Sequence, residues 1–233
     1  MGFARHLAVH RPRTTAAGRV TLHSLSFGPH YDPGNVVFGG LIAHNDDHLE
    51  QGAGYLDHPH ADVEIVTWVV QGVLAHRDSL GGVVDLSPGS VQVQSAGSGI
   101  RHSEMADPAA GRTRFVQAWL RPDEVGAVPR RDVSTVHLPG AGLVPLVSGS
   151  RPAPLRLGSA TATLWAARLE AGEDAVLPED PRQHLFVVAG RLALPGGPVG
   201  TGDAVRITDE PGHRVVATMP TDLLVWTFAS VDR

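Results

Sequence analysis

The stretch Asp57-His58-Pro59-His60-Ala61-Asp62-Val63-Glu64 is the densest run of metal-ligand side chains in this sequence of 233 residues. A related stretch, Gly97-Ser98-Gly99-Ile100-Arg101-His102-Ser103-Glu104, follows it. Each stretch contains a pair of ligand-capable residues at positions i and i+2, which are His58 with His60 and His102 with Glu104. Side chains two apart in a β-strand point to the same face, with roughly 6.8 Å of rise between them. One pair can therefore reach an ion from one wall of the fold, and the other pair can reach the same ion from a facing wall.

Three imidazoles and one carboxylate make up the predicted ligand set, which is His58, His60, His102 and Glu104. Such a set suits a divalent transition ion, and ligand type alone leaves Fe, Mn, Co, Ni, Cu and Zn open. On an octahedral ion, four protein ligands leave two positions for substrate and oxygen, whereas a structural zinc site is closed. A single His-x-His pair is usually a surface feature, but two ligand pairs beside glycine and proline turns favour a metal site.

Composition narrows the chemistry that this chain can perform. The sequence contains 13 His and no Cys, and its 19 basic residues are all Arg. Without thiols there is no disulfide, no cysteine-ligated zinc or iron–sulfur cluster and no thiolate nucleophile. Without lysine there is no Schiff base and no Walker A loop. Imidazole, carboxylate and hydroxyl groups remain, so any redox function has to use a metal.

Charge and hydropathy indicate the compartment and exclude some partners. The net charge of −5 argues against a direct nucleic-acid partner. The longest uncharged apolar stretch, Ile65 to Ala75, is shorter than the roughly 18 residues of a membrane-spanning helix. The N-terminal residues lack the apolar core of a signal peptide. We therefore expect a cytoplasmic protein that does not contact membranes.

Strand patterns dominate the chain, and 27 Gly and 18 Pro indicate many turns. The predicted strands of the first half are 20–25, 64–70, 73–76, 83–86, 91–94 and 114–120. The second half repeats the pattern of strand, glycine and strand, and helices are expected only as short pieces such as 122–125 and 180–183. The sequence thus predicts an all-β protein with two β-domains in tandem. We place them at 1–125 and 141–233, joined by a Pro/Gly-rich linker at 126–140.

Several motifs resemble known families. Gly52, His58-Pro59-His60 and Glu64 have the spacing of the first cupin motif, and Gly72 stands one residue later than the usual glycine of that motif. The segments His76-Arg77-Asp78-Ser79-Leu80-Gly81 and 95–104 are similar to the pirin family. The resemblance is specific over residues 38–120. Beyond residue 140, only the length of the chain and its pattern of strands agree with the family.

The resemblance to the pirin family implies a bicupin, with two cupin-type β-barrels or sandwiches in tandem and few helices. In such proteins the N-terminal barrel binds one metal, commonly iron, through the positions that fall here on His58, His60, His102 and Glu104. Fe(II) is therefore the first expectation for the cofactor. The second barrel of these proteins lacks a metal set, and the C-terminal half of this chain holds only His184 and His213.

We assign roles at the predicted metal site to two carboxylates, Glu104 and Glu64. Glu104 is expected to be a ligand that either stays on the metal or, as the catalytic group, swings off to take a proton from the substrate. Glu64 shares the parity of His58 and His60 if the strand is regular, so we expect it to hold a ligand imidazole through its other nitrogen. His76 is predicted to belong to a turn network with Arg77 and Asp78. The remaining histidines lack paired spacing and are interpreted as structural or solvated.

Two functions follow from the resemblance. The first hypothesis is an enzyme of the quercetin 2,3-dioxygenase type, which cleaves a small aromatic, flavonol-like substrate with O₂. The alternative is a non-enzymatic, iron-dependent redox-sensing regulator that binds a protein partner. A structural or carbohydrate-binding β-protein also fits the fold, but it leaves the paired ligands unexplained.

Overall fold

The computed structural model describes residues 2–140, 142–210 and 212–230. Within these ranges the chain has one 3₁₀ turn, Ala8–His10, and no helix that is long and apolar enough to cross a membrane. Its strands in chain order are β1 (Gly2–His6), β2 (Arg13–Ala16), β3 (Arg19–His23), β4 (Leu41–Leu49), β5 (Gly54–His60), β6 (Glu64–Gln71), β7 (Leu74–Asp78), β8 (Val83–Leu86), β9 (Ser90–Ser95), β10 (Ile100–Ala106), β11 (Thr113–Leu120), β12 (Arg130–Thr135), β13 (Val144–Ser148), β14 (Leu155–Arg156), β15 (Ala162–Leu169), β16 (Asp174–Val176), β17 (Arg182–Ala193), β18 (Val199–Gly200), β19 (Ala204–Thr208) and β20 (Arg214–Phe228).

The strands form three sheets. A four-stranded sheet has the order β5-β10-β7-β8, and a seven-stranded sheet has the order β12-β9-β6-β11-β4-β3-β2. The third sheet has nine strands. Seven follow the order β1-β19-β17-β20-β15-β13-β14, while β16 pairs with β20 and β18 pairs with β17. The predicted all-β class is confirmed. The short helices predicted at 122–125 and 180–183 are wrong, because residues 122–125 form a loop and residues 180–183 lead into and begin β17.

Alternation along β6 shows how the seven-stranded sheet is buried on both faces. Ile65 and Val69 face the four-stranded sheet, whereas Val66 and Trp68 pack against the nine-stranded sheet. Because alternate side chains point to opposite faces, a strand with two buried faces reads as a continuous apolar run. This arrangement explains the uninterrupted Ile65-Val66-Thr67-Trp68-Val69-Val70 segment.

Two apolar cores result from this layering. Trp68 and Leu120 of the seven-stranded sheet pack with Phe186 and Trp226 of the nine-stranded sheet. On its other face, the seven-stranded sheet shares a core with the four-stranded sheet, formed by Leu49, Val69, Leu74, Leu86, Ala106 and Phe115. The four-stranded sheet thus closes a barrel over the seven-stranded sheet, and the predicted metal ligands lie on its strands.

The strand pairing differs from the predicted domain division at two places. Strand β1 pairs with β19 in the C-terminal sheet, so the first residues of the chain do not belong to the N-terminal barrel. The predicted linker contains β12, which pairs with β9. The cause is that residues 1–18 show no clear period and that prolines and glycines surround β12, so neither partner is visible in the sequence. The boundaries at 125 and 141 stay predictions.

Candidate metal centre

Strands β5 and β10 bring the three predicted imidazoles together. His58 lies opposite His102 in the antiparallel register. The ring centroids are 4.5 Å apart for His58 and His102, 4.8 Å for His58 and His60, and 5.0 Å for His60 and His102. Their ligand nitrogens all lie within 4.8 Å of one another. The two-residue spacing of His58 and His60 therefore brings both rings to the same side of β5, as the strand pattern predicted.

Glu104 lies beside His102 of this cluster. It also lies beside His76, which was not predicted from the sequence to be a ligand. His76 of β7 lies opposite Glu104 of β10, and its Nδ1 is 3.9 Å from Glu104 Oε1. The ligand atoms of His76, His102 and Glu104 also lie within 4.8 Å of one another. A sequence signal for His76 exists, because it shares the inward parity of the fully buried Leu74.

The nitrogens of this cluster suit a divalent metal. His60 Nε2 and both ring nitrogens of His102 are buried and have no hydrogen-bond partner among the described residues. His58 Nδ1 donates to the Leu56 carbonyl at 2.7 Å, which leaves Nε2 with a free lone pair. Buried polar groups without partners are rare and need an explanation, and a bound ion supplies one. The donor set therefore fits a metal.

Burial keeps two of these imidazoles neutral near pH 7. It lowers the pKa of His60 to about 4, assisted by the neighbouring His58 and opposed by Glu104. It also lowers the pKa of His102 to about 4, although the Glu104 carboxylate acts in the opposite direction. Neutral imidazole is the form that ligates metals, so both rings are ready to bind.

Glu104 is held as a carboxylate by its surroundings. Burial raises its pKa, but His76, His102 and the Gln117 amide lower it, and the net pKa lies below the usual value. Gln117 Nε2 donates to both carboxylate oxygens, at 3.1 and 3.0 Å. The Trp119 indole Nε1 in turn donates to Gln117 Oε1 at 2.9 Å. The Trp119 ring meets His60 edge to face, with the centroids 4.9 Å apart.

Gln117 and Trp119 were not predicted from the sequence to belong to the site. Both lie on β11 with the same parity as Phe115, which packs inside the N-terminal barrel. A polar residue at an inward position of a mostly apolar strand was the available signal. Their sheet position next to β6 could not be seen without the strand pairing.

Glu64 does not have the predicted role. Its Oε2 accepts hydrogen bonds from Ser95 Oγ at 2.8 Å and from the Gly158 backbone N–H at 2.9 Å, and neither partner is a histidine. The prediction assumed one regular strand from His58 to Glu64. Instead β5 ends at His60, and Asp62 adopts a φ of 51°, so the parity is broken before β6 begins. Glu64 connects the two halves of the protein instead.

An open cleft of about 610 Å³ lies beside His60. Its walls are mainly apolar and backbone atoms, from residues that include Pro59, Ala61, Gly99 and Ile100. Arg101 is the one charged residue among the cleft-lining residues that the structure describes, and it forms an ion pair of 2.6 Å with Asp57. The cleft is large enough for a small aromatic molecule to approach His60.

A β-sandwich barrel that carries three imidazoles and a carboxylate on two adjacent strands, β5 and β10, defines a cupin-type protein. The comparisons give its family. Residues 6–120 match the family model described as Pirin. The structure of the bacterial pirin YhhW from Escherichia coli, in complex with nickel(II), is similar with a TM-score of 0.91 and 30% identity, covering 99% of this chain and 100% of that one. The chain belongs to the pirin family.

Two curated relatives span most of the chain. A Mycobacterium tuberculosis protein, which carries a provisional name as a quercetin 2,3-dioxygenase, is 44% identical over 94% of this chain and 92% of its own length. An Escherichia coli protein named quercetin 2,3-dioxygenase is 30% identical over 90% of this chain and 91% of its own length. The similarity therefore extends beyond residue 140, where the sequence motifs gave no specific signal.

Proposed function

We propose that this protein is a metal-dependent dioxygenase that cleaves a flavonol-like aromatic substrate with O₂. The observation that carries the proposal is the cluster of unpartnered imidazole nitrogens of His60 and His102, with an ionised carboxylate beside them and an open, mainly apolar cleft at His60. The names of the two curated relatives support the same reaction. The proposal assigns His58, His60, His102 and Glu104 as the metal ligands.

A divalent metal held by these residues would supply Lewis acidity and orient the reacting groups. Fe(II) is our first choice, because imidazole and carboxylate ligands with open positions suit oxygen chemistry at iron. The nickel(II) complex of the Escherichia coli pirin supports a divalent metal in this family. Mn, Co, Cu and Zn are alternatives that the ligand types allow.

The protein's own residues bind the substrate and move its proton. The apolar walls of the open cleft beside His60 take the flat aromatic rings of the substrate. Glu104 Oε1 or Oε2 accepts the enol proton, because the carboxylate is ionised near neutral pH and buried beside the imidazoles. Gln117 holds both oxygens in place during this transfer.

The test mixes the Fe(II)-loaded protein with quercetin in air and follows the near-visible absorption of quercetin together with O₂ uptake. We expect metal-dependent loss of both signals, and loss of this activity in His60→Ala. The matched control is His137→Ala, which removes an exposed histidine away from the site. Metal binding without turnover, or equal turnover in His60→Ala, would reject the enzyme and favour the redox-sensing regulator.

A further inference from the structure

We propose that Arg101 selects aromatic acids, so that the substrate carries a carboxylate besides the hydroxyl group that approaches the metal centre. The inference deepens the proposed function and rests on it in one premise, which is that the cleft beside His60 receives a small aromatic molecule. It narrows the substrate class, because a neutral flavonol lacks the carboxylate that Arg101 recognises and would bind less tightly than an aromatic acid.

The cleft lies at the end of the β5–β10 strand pair. His60 is opposite Ile100 there, and Pro59 is opposite Arg101. All four residues line the cleft, so a molecule bound beside His60 shares the cleft with Arg101. Clefts that bind small molecules are commonly apolar, with a few polar groups that fix the orientation of the ligand. Arg101 has that position, since it is the one charged residue among the described residues that line this cleft.

The Arg101 guanidinium keeps one nitrogen without a partner. Its Nε donates to Asp57 Oδ2 at 2.8 Å, and its Nη2 lies 2.6 Å from the same oxygen. Its Nη1 makes no hydrogen bond to a residue that the structure describes. A guanidinium has five N–H groups in a planar fork that matches a carboxylate. Nη1 can therefore bind a second carboxylate while Asp57 still holds Nε.

The backbone of Arg101 is fixed, which positions its side chain relative to the cleft. The Arg101 N–H donates to Ser79 Oγ at 3.1 Å, and the Ser79 N–H donates to the Arg101 carbonyl at 2.9 Å. On its other side, β10 pairs with β5. Binding groups on rigid strands hold a ligand more precisely than groups on loops. The guanidinium thus extends from a fixed point, with Asp57 as its partner when no ligand is present.

Asp57 competes only weakly for Arg101. The side chains of Arg101 and Asp57 are 54% and 59% exposed. Exposed ion pairs contribute little, because water screens them. A ligand that covers the apolar wall removes water from its own carboxylate contact, which strengthens the new pair relative to the old one. An aromatic acid therefore gains from both parts of the cleft, the apolar wall for its ring and Arg101 for its charge.

The test measures binding without turnover, by calorimetry on the Fe(II)-loaded protein under anaerobic conditions. The probes are the catechol carboxylate protocatechuate and its carboxamide, which have nearly the same shape and differ in charge. We expect the acid to bind the wild type about tenfold more tightly than the amide, or better. Equal affinities, or no binding of either probe, would overturn the inference. Quercetin turnover is a separate measurement, so a protein that prefers the acid but leaves quercetin intact would contradict the enzyme alone.

Two variants should change the acid affinity in opposite directions, which a loss of structure does not do. Arg101→Gln should lower it by about tenfold, to the level of the amide, and Asp57→Asn should raise it by about threefold because a competing carboxylate is lost. The matched control is Arg77→Gln, at an exposed position of the neighbouring β7 outside the residues that line the cleft. It removes the same charge and should change neither affinity. An unchanged preference in Arg101→Gln, or an equal loss in Arg77→Gln, would reject the inference.

Discussion

The indole N–H of Trp119 fixes the direction of the Gln117 amide. Trp119 Nε1 can only donate, so the atom that it contacts at 2.9 Å must be the amide oxygen, and the amide nitrogen must face Glu104. Because the Trp119 ring also packs against His60, one residue supports a carboxylate and an imidazole of the same site. Strand β11 of the seven-stranded sheet is thereby connected to β10 and β5 of the four-stranded sheet at the candidate metal centre.

Trp119→Phe should weaken metal binding without removing a ligand. The phenyl ring keeps an edge against His60, but the Gln117 amide is free to turn its oxygen towards Glu104, where it repels the carboxylate. We expect the metal affinity to fall by about tenfold. The control is Trp165→Phe, which loses a similar indole hydrogen bond, to Thr227 Oγ1 at 3.0 Å, in the C-terminal sheet. Equal metal affinities in the two variants would show that the amide direction does not matter.

Glu64→Ala should destabilise the fold and leave the metal site intact. The substitution leaves the buried Ser95 hydroxyl and the Gly158 N–H without their acceptor, which costs about 1–3 kcal/mol of unfolding free energy. Metal affinity should stay within about twofold of the wild type. If Glu64 instead supports a ligand imidazole, the affinity should fall by about 10–100-fold. Urea unfolding and chelator competition on the same preparation separate the two outcomes.

Acid should destabilise the protein through a buried histidine pair between the two halves. The His44 and His184 rings are 4.7 Å apart and fully buried. Burial, followed by the nearby Arg11, lowers the pKa of His44 to about 3, and burial followed by His44 and Arg206 lowers the pKa of His184 well below 6.5. Below pH 6.5 the unfolded state binds protons that the folded state does not, so stability falls as the pH falls.

The measurement for this pair is the free energy of unfolding between pH 7.5 and 4.5. Each histidine should contribute a slope of at most about 1.4 kcal/mol per pH unit below its unfolded pKa. His184→Gln should remove one such contribution and flatten the curve. His137→Gln, at an exposed position, should leave the slope unchanged. An unchanged slope in His184→Gln would contradict a buried neutral imidazole at this position.

The part of the site that depends on neighbouring residues of a single strand could be predicted from the sequence. His58 and His60 are two residues apart on one strand, and the pattern of a strand is enough to place both rings on one face. The predicted strand 83–86 has the bounds of β8, and 64–70, 91–94 and 114–120 differ from β6, β9 and β11 by one residue at one or both ends. These segments have strong period-two or β-branched patterns, which local sequence reveals.

The missed residues depend on pairing between distant strands. His76 joins the site because β7 lies next to β10, and Gln117 joins it because β11 lies in the facing sheet. No local pattern specifies either neighbour. Glu64 was misplaced for a related reason, since the parity count crossed the bend at Asp62, whose positive φ a single sequence does not reveal. Interactions across a bend or between sheets therefore needed the structure.

His102 is common to both candidate trios, so its loss tests the central claim that this barrel is a metal site. The measurement is the metal content, by elemental analysis, of wild type and His102→Ala after equilibrium dialysis against Fe(II) under anaerobic conditions. We predict about one ion per chain in the wild type and a small fraction of that in His102→Ala, with both proteins folded by circular dichroism. A wild type without stoichiometric metal, or a His102→Ala variant that retains the full amount, would contradict the account.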